Sequence, residues 1–482
     1  MKLYDLVEGL INEEAPSTFR DVQINAITDT SIKVLDGSLF VAIKGHHSDG
    51  HLYIEEAIKH GASAIVGEEE RIDLPVPYIK VDNSRKFLGM VSKRFYQDPS
   101  KNKVMIGITG TNGKTTTSFL LKHILEQSGL FCSLIGTIKN IINGEEITSM
   151  NTTPNSLALN DLLSKSKDEV VIMEVSSHGL SQFRLEGIEF DYCLFTNLAS
   201  DHLEYHGSIE EYFEVKSQLF KKLKPNGKAI INLDNGWGMK LSRLLENKSI
   251  PVYSIGHSPS SNLKICKFLS NNTGVTVSDR AEKQIGIQFT MPGVHNLYNA
   301  VMAFAAAQQL QIQEADIISA LGSFKGVPGR FESFVNKNGV TVVVDYAHTA
   351  DAIFHCLKTA RDCGAKKIVH VFGFRGNRDS GKREEMLKIS AELSDQYILT
   401  VDDLNNVSLE EMLETLHRLN RHEEGNENRI IIPDRTEAIS RALNQCKEND
   451  WVLITGKGHE AYQQDYSLPT SSDMETVQYL NG

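Results

Sequence analysis

Residues Gly107 to Thr117 read G-I-T-G-T-N-G-K-T-T-T. They follow the apolar run Val104-Met105-Ile106 and precede a helix-patterned stretch, Ser118 to Gln127. The pattern is strand, glycine loop, helix. Backbone N–H groups in such a loop point at phosphate oxygens, and the helix N-terminus adds partial positive charge. Lys114 has the reach for the outer phosphates, and the Thr115 hydroxyl suits Mg²⁺. The spacing departs from the usual G-x-x-x-x-G-K-T form, which asks for glycine at Ile108; the glycines here are Gly107, Gly110 and Gly113. The loop Gly110, Thr111, Asn112, Gly113, Lys114, Thr115 and Thr116 reads as a nucleoside triphosphate site.

Other polar residues close apolar runs. Glu174 ends one run and is followed by Ser176, Ser177 and His178. A carboxylate there suits Mg²⁺, which takes oxygen ligands; helix capping is the alternative. Asn197 and Asp201-His202 follow the next run, making His202 a candidate for a second metal. Asp345-Tyr346-Ala347-His348, Gly373 to Asp379, Asp402-Asp403 and Gly456 to Glu460 end four further runs. Together these four ends suggest one shared cleft. Lys216, by composition alone, reads as a surface lysine.

The elements that must position these groups fall into three parts. Residues 1–100 form a small α/β unit, with a turn and strand at 37–43, a helix at 53–60 and a strand at 62–66. A linker is expected near Asp98-Pro99-Ser100. Residues 101–330 alternate strands (104–109, 170–175, 192–197, 229–233) with helices, as a covered parallel sheet requires. The stretch 250–292 is more β-rich, and 296–310 is an alanine-rich helix. Residues 331–482 place strands at 341–345, 368–374, 397–401, 430–432 and 452–455 around helices, a second doubly wound sheet.

The 482 residues are 40% apolar, enough for several cores. No apolar run reaches the ~18 residues of a membrane span, and the first residues lack a signal-peptide pattern. A cytoplasmic protein without membrane insertion is expected. The net charge is −12, with no long basic stretch, so nucleic acid is not an expected partner. Six scattered cysteines with no C-x-x-C pair read as buried reduced thiols.

Nine strings, in this order, resemble the Mur ligases of peptidoglycan synthesis. They are G-S-L-F-V-A-I-K-G-H-H-S-D-G (37–50), T-G-T-N-G-K-T-T (109–116), N-T-T-P (151–154), M-E-V-S-S-H-G-L-S-Q-F-R (173–184) and T-N-L-A-S-D-H-L-E-Y-H-G (196–207). G-R-F-E (329–332), D-Y-A-H-T (345–349), G-N-R-D (376–379) and G-K-G-H-E (456–460) complete them. The chain is most similar to the UDP-N-acetylmuramoyl-tripeptide synthetase branch, which adds the third residue to UDP-N-acetylmuramoyl-L-alanyl-D-glutamate. The resemblance implies an α/β protein of three domains: a UDP-binding domain, a central P-loop ATPase domain and a Rossmann-like C-terminal domain. It implies ATP-driven activation of a carboxylate to an acyl phosphate, then attack by an amino acid's amine. The cofactors implied are ATP, Mg²⁺ and a carbamylated lysine at Lys216. Lys114, Glu174, His202 and Lys216 would be catalytic. Thr115, Glu174, His202 and carbamylated Lys216 would hold metal. Asn296, Arg330 and Asp345 would join the loop at ATP. Ser31, His46, His47, Asn151, Thr152, Thr153, Ser176, Gln182 and Arg184 would hold the UDP-muramoyl-peptide. Arg378, Asp402, Asp403, Asn405, Gly456 and Glu460 would hold the amino acid. A monomer acting on small molecules is expected.

The chain departs from the family pattern where D-N-P-R becomes Asp402-Asp403-Leu404-Asn405 and an extra Arg375 appears. Asn405 lacks the cationic fork that a carboxylate prefers. The third amino acid is therefore left open between lysine, diaminopimelate and another. A paralogous ligase with a different acceptor or amino acid, and a nucleotide-binding regulator without catalysis, are the alternatives. Folylpolyglutamate-type chemistry fits less well, because its enzymes resemble only the later two domains.

Overall fold

The computed structural model describes every residue except 12–13, 46–47, 72, 270–271, 378–379, 422–425 and 482. His46, His47 and Arg378 lie outside the described residues. The chain forms two compact units. One comprises Met1–Thr109, Leu130–Cys193 and Val215–Gly227; the other comprises Gly110–Gly129, Leu194–Glu214 and Lys228–Gly482.

The first unit begins with a four-stranded parallel sheet, in the order Ala26–Thr28, Ser38–Val41, Ala62–Gly67, Tyr78–Lys80. Its strands are apolar on both faces. Leu39, Val41, Ala64 and Val66 enter one core with Leu3, Leu6 and Val91, while Phe40, Ala42 and Ile65 enter another with Ile54 and Ala57. Strand periodicity of two divides neighbouring residues between the cores, as a parallel sheet covered on both sides demands. The helix Ser84–Phe95 is capped by Asn83, whose side chain accepts from the Lys86 N–H.

The same unit holds the strand Val104–Thr109, paired in parallel with Val170–Glu174, which pairs in parallel with Cys132–Ile135. The sequence pattern located the first strand to the residue. Two antiparallel strands, Lys139–Ile142 and Glu145–Thr148, extend this sheet and were not expected. Glu145–Thr148 is wholly exposed, so it lacks the apolar run that signals a strand. Register places Ile108 opposite Glu174, so Glu174 ends its strand one residue short of Thr109, from which the chain enters the glycine loop.

In the second unit, the helices Lys114–Gln127, Val294–Gln309 and Glu314–Ser323 pack together. The alanines of Val294–Gln309 are buried, which allows close approach. The expected β-rich stretch consists of Val252–Gly256, Leu263–Phe268, Gly274–Asp279 and Gln284–Gln288, the first pair parallel and the next two pairs antiparallel. The final sheet runs Glu332–Val335, Thr341–Asp345, Trp451–Thr455, Ile368–Phe374, Gln396–Val401, Arg429–Ile431. All neighbours are parallel except the first pair. The last strand in the chain inserts between Thr341–Asp345 and Ile368–Phe374. That reversal opens a crevice at the carboxyl ends of these strands, where open α/β sheets bind ligands.

Among the described residues the cysteines are free, but Cys266 and Cys363 are exposed, against the expectation of buried thiols. Among the described residues, no helix is long and apolar enough to cross a membrane.

Candidate active site

The glycine loop is shaped by contacts that exclude side chains. Gly110 has φ +152°, and a Cβ there would fall 2.0 Å from Thr196 Oγ1; Gly113 has φ +85°, and a Cβ there would fall 2.3 Å from Asn299 Oδ1. The positive φ of Gly113 alone disfavours other residues. The odd glycine spacing thus follows from two close approaches. Asn112 is fixed on several sides: its N–H donates to Asn197 Oδ1 (3.0 Å), its Nδ2 donates to Asp351 (2.8 Å), and its carbonyl accepts from Thr196 Oγ1 (2.7 Å). Lys114 Nζ donates to the Gly110 and Thr111 carbonyls, both at 2.8 Å. Its ammonium therefore lies over the loop that phosphate would enter.

Around the loop lies a cavity of about 330 Å³, lined by Asn112, Gly113, Thr116, Asn296, Arg330 and Asp345, with Tyr346 and His348 along one side. The structure brings these six predicted nucleotide residues together. Arg330 Nη2 donates to Thr115 Oγ1 at 3.2 Å, and its guanidinium stacks over Tyr346 at 4.3 Å. Asp345 accepts from the Phe331 and Ala347 N–H groups, both at 2.6 Å. Burial raises the Asp345 pKa, opposed by Arg330 and those N–H groups. Burial lowers His348 to about 4, against the pull of Asp201, so it is neutral at pH 7.

His202 sits in the same unit with φ +54°, a conformation rare outside glycine and a mark of local constraint. Its Nε2 is 3.3 Å from Asp201, and Asp201 also meets Lys382 at 3.3 Å. Burial raises the Asp201 pKa, but His348, His202 and Lys382 outweigh it and hold the carboxylate ionised.

Glu174 and Lys216 belong to the first unit. Glu174 is fully buried; it accepts from the Thr137 N–H (3.1 Å) and hydroxyl (2.8 Å). Thr137 contacts Thr152 at 3.1 Å, and Thr153 Oγ1 donates to the Glu174 carbonyl at 2.9 Å. The Ser176 N–H donates to Thr153, Arg184 donates to the Thr153 carbonyl at 2.7 Å, and Arg184 also holds Gln182. Thr152, Thr153, Ser176, Gln182 and Arg184 thus form one polar chain around Glu174. Asn151 is exposed beside it. Ser31 is buried, its carbonyl contacting His60, and nearby Asp29 accepts from Asn155 at 3.5 Å. Lys216 is only 1% exposed on the helix Ile209–Ser217. This overturns the surface lysine expected from composition. Helix periodicity turns it inward with Tyr212 and Phe213, which are buried too.

At the carboxyl ends of the last sheet, Asp402 and Asp403 are buried and joined to Lys457, whose Nζ lies 3.5 Å from one and 2.6 Å from the other. Gly456 offers its carbonyl to Arg375, and Arg375 is ion-paired with Glu460. Asn405 donates to the Gly376 carbonyl at 3.1 Å. Asp402, Asp403, Gly456 and Glu460 therefore form one cluster, with Asn405 tied to the neighbouring turn. Sequence reasoning missed Lys457 as the counter-ion, although it lay inside a quoted string. It also missed the fully buried Arg435–Asp473 pair, which lies beside this cluster. Nothing in the sequence signals that pair, since charged residues at helix starts read as solvated.

A glycine-loop nucleotide fold joined to a second doubly wound sheet, with strand-end acids and bases beside the loop, defines a nucleotide-dependent enzyme class. The Mur ligase middle domain matches residues 108–307, the Mur ligase glutamate ligase domain 329–458, and the Mur ligase family catalytic domain 23–96. The chain belongs to the Mur ligase family. It is 39% identical over 458 residues to the UDP-N-acetylmuramoyl-L-alanyl-D-glutamate--2,6-diaminopimelate ligase of Clostridium botulinum, covering 92% of this chain and 91% of that protein. A solved structure of UDP-N-acetylmuramoyl-L-alanyl-D-glutamate--2,6-diaminopimelate ligase matches with a TM-score of 0.70 at 27% identity, over 100% of this chain and 99% of the other. The MurF ligase of Thermotoga maritima in complex with ADP shares the fold, with a TM-score of 0.65 at 19% identity over 90% of this chain and 94% of the other.

Proposed function

We propose that this chain is an ATP-dependent ligase that adds the third amino acid to UDP-N-acetylmuramoyl-L-alanyl-D-glutamate in peptidoglycan precursor synthesis. The observation that carries the reading is the full-length likeness to ligases bearing that substrate's name, together with the phosphate loop and its Arg330-lined cavity. A carboxylate is a poor electrophile, so ATP phosphorylates the D-glutamate carboxylate, releasing ADP. The amine then attacks the acyl carbon, and phosphate leaves. Phosphoryl transfer is governed by charge placement. Lys114 and Arg330 supply fixed positive charge, the loop N–H groups orient the phosphates, and Asp345 approaches the ribose. The Thr152–Arg184 chain, with Ser31, Asn151, Ser176 and Gln182, grips the muramoyl-peptide.

Glu174 and Thr115 each offer an oxygen donor of the kind that Mg²⁺ prefers. Gly136 packs directly against the carboxylate, since a Cβ there would lie 2.3 Å from Glu174 Oε1. When bound, Mg²⁺ neutralises developing charge on the phosphoryl oxygens. His202 is the proposed second metal ligand. Lys216 is proposed to be a carbamate, formed as its amine takes up CO₂ and releases a proton. Its near-complete burial at the end of the helix Ile209–Ser217 shelters the side chain from bulk solvent. We further assign domains to 1–100, 101–330 and 331–482, and infer a cytoplasmic monomer with no nucleic-acid partner.

The test is ADP release by purified protein with UDP-N-acetylmuramoyl-L-alanyl-D-glutamate, ATP, Mg²⁺ and single amino acids. Release that needs both acceptor and amino acid supports the ligase. If none depends on the acceptor under any amino acid, the reading falls. The second reading, a paralogous Mur-type ligase with a different acceptor or amino acid, is favoured by the Asp402–Asn405 departure.

A further inference from the structure

A second cavity, of about 80 Å³, lies against the nucleotide cavity, and Tyr346 and His348 line both. Its wall is charged: Arg375, Lys382 and Arg383 face it, with Asp402 and Glu204. A space beside the phosphate site, walled by charges of both signs, suits the amino acid that must meet the acyl phosphate. Lys382 and Arg383 open the helix Lys382–Leu393 and are held at this wall, Lys382 by Asp201 at 3.3 Å and Arg383 by the Arg375 carbonyl at 2.9 Å, where an α-carboxylate would meet positive charge.

The position of Arg375 decides what side chain fits. Its Nη2 donates to the Gly456 carbonyl at 3.0 Å and pairs with the Glu460 carboxylate. Its Nε makes no hydrogen bond and lies 3.7 Å from Asp402. The guanidinium carbon is 5.5 Å from the Tyr346 ring centre. Asp402 and Asp403 are already met by Lys457. The strand-end carboxylates are thus neutralised from within the protein. Among the described residues, the other carboxylate on the wall, Glu204, lies 3.9 Å from His202. The cavity, of about 80 Å³, has room for a small amino acid.

Resting on the ligase reading above, we propose that Arg375 is an internal cation that fills the place of a substrate side-chain cation, so the third amino acid accepted is small and lacks a side-chain charge. Removing the guanidinium would leave Glu460 and Asp402 without that partner and favour an amino acid with a distal ammonium.

The experiment measures acceptor-dependent kcat/KM for glycine, alanine, serine, lysine and diaminopimelate in the full-length protein, its Arg375→Gln variant and its Arg375→Ala variant. Glutamine retains a donor for the Gly456 carbonyl, which guards against simple misfolding of the alanine variant; circular dichroism checks both. The expected result is that the unaltered protein prefers a small neutral amino acid over lysine by at least about tenfold, and that either variant narrows or reverses this ratio by about tenfold. A preference for lysine or diaminopimelate in the unaltered protein overturns the inference while leaving the ligase reading intact. So does an unchanged ratio in both folded variants. Absence of acceptor-dependent ADP release with every amino acid overturns the ligase reading and this inference with it.

Discussion

Lys114 shows how a single side chain carries the nucleotide reading. Its ammonium is held by two loop carbonyls at 2.8 Å, which fixes it at the loop. Replacement by alanine should lower turnover at least ~100-fold, the scale of one lost electrostatic donor. Steady-state kinetics beside a thermal melt checks this; near-normal turnover rejects the role assigned to Lys114. Arg435 makes the contrasting case. It is fully buried and bonds Asp473 through Nε at 2.6 Å and Nη2 at 2.8 Å, with a further bond to the Thr455 carbonyl. Arg435→Met should destabilise by about 3–5 kcal/mol, because it strands a buried carboxylate. Adding Asp473→Leu should recover much of that, and urea titration of both variants distinguishes the outcomes. Lys114 was legible because glycine-loop chemistry constrains its neighbours in sequence. Arg435 and Lys216 were not, because their partners and burial depend on chain folded from far away.

The glycine loop is the element where fold and chemistry meet. Strands such as Thr341–Asp345 and Ile368–Phe374 were read to the residue because each is a continuous apolar run bounded by polar ends. The exposed strand Glu145–Thr148 was invisible for the opposite reason. The glycine spacing was legible as a departure, but its cause lay in residues distant in sequence. Gly113 must avoid Asn299, and Gly110 must avoid Thr196. Gly113→Ala places a Cβ on Asn299 and forces alanine into a left-handed conformation costing about 1–2 kcal/mol. Asn299 is itself buried within the helix Val294–Gln309 and cannot retreat into solvent. The expected outcome is a rise in the KM for ATP of about tenfold or more, with a smaller loss of thermal stability. An unchanged KM would show that the loop tolerates the displacement and does not govern nucleotide binding.

Stability of the whole molecule should fall on mild acidification, through buried histidines. Burial holds His370 near 3, with Arg435 adding to the effect, and holds His295 near 3, with His355 adding to it; His348 is held near 4. An unfolded histidine titrates near 6.5. Between pH 6.5 and 4 the unfolded chain therefore binds protons that the folded chain refuses. Stability is complete above pH 6.5 and is lost as pH falls through that window, by up to about 1.4 kcal/mol per pH unit for each histidine. His370 is the best-defined of the three: Nδ1 contacts Ser390 at 2.8 Å, Nε2 contacts Thr455 at 2.9 Å, and the ring stacks on Phe372 at 4.4 Å. Protonation would make both nitrogens donors and put a charge near Arg435. Urea unfolding at pH 7 and pH 5 should show a clear drop in midpoint at the lower pH, without ligands present. His370→Gln, which keeps a donor and an acceptor but cannot titrate, should reduce that drop by about a third if the three histidines contribute equally. Equal midpoints at the two pH values would mean that these rings are hydrated or already charged in the folded protein, and the burial argument would fail.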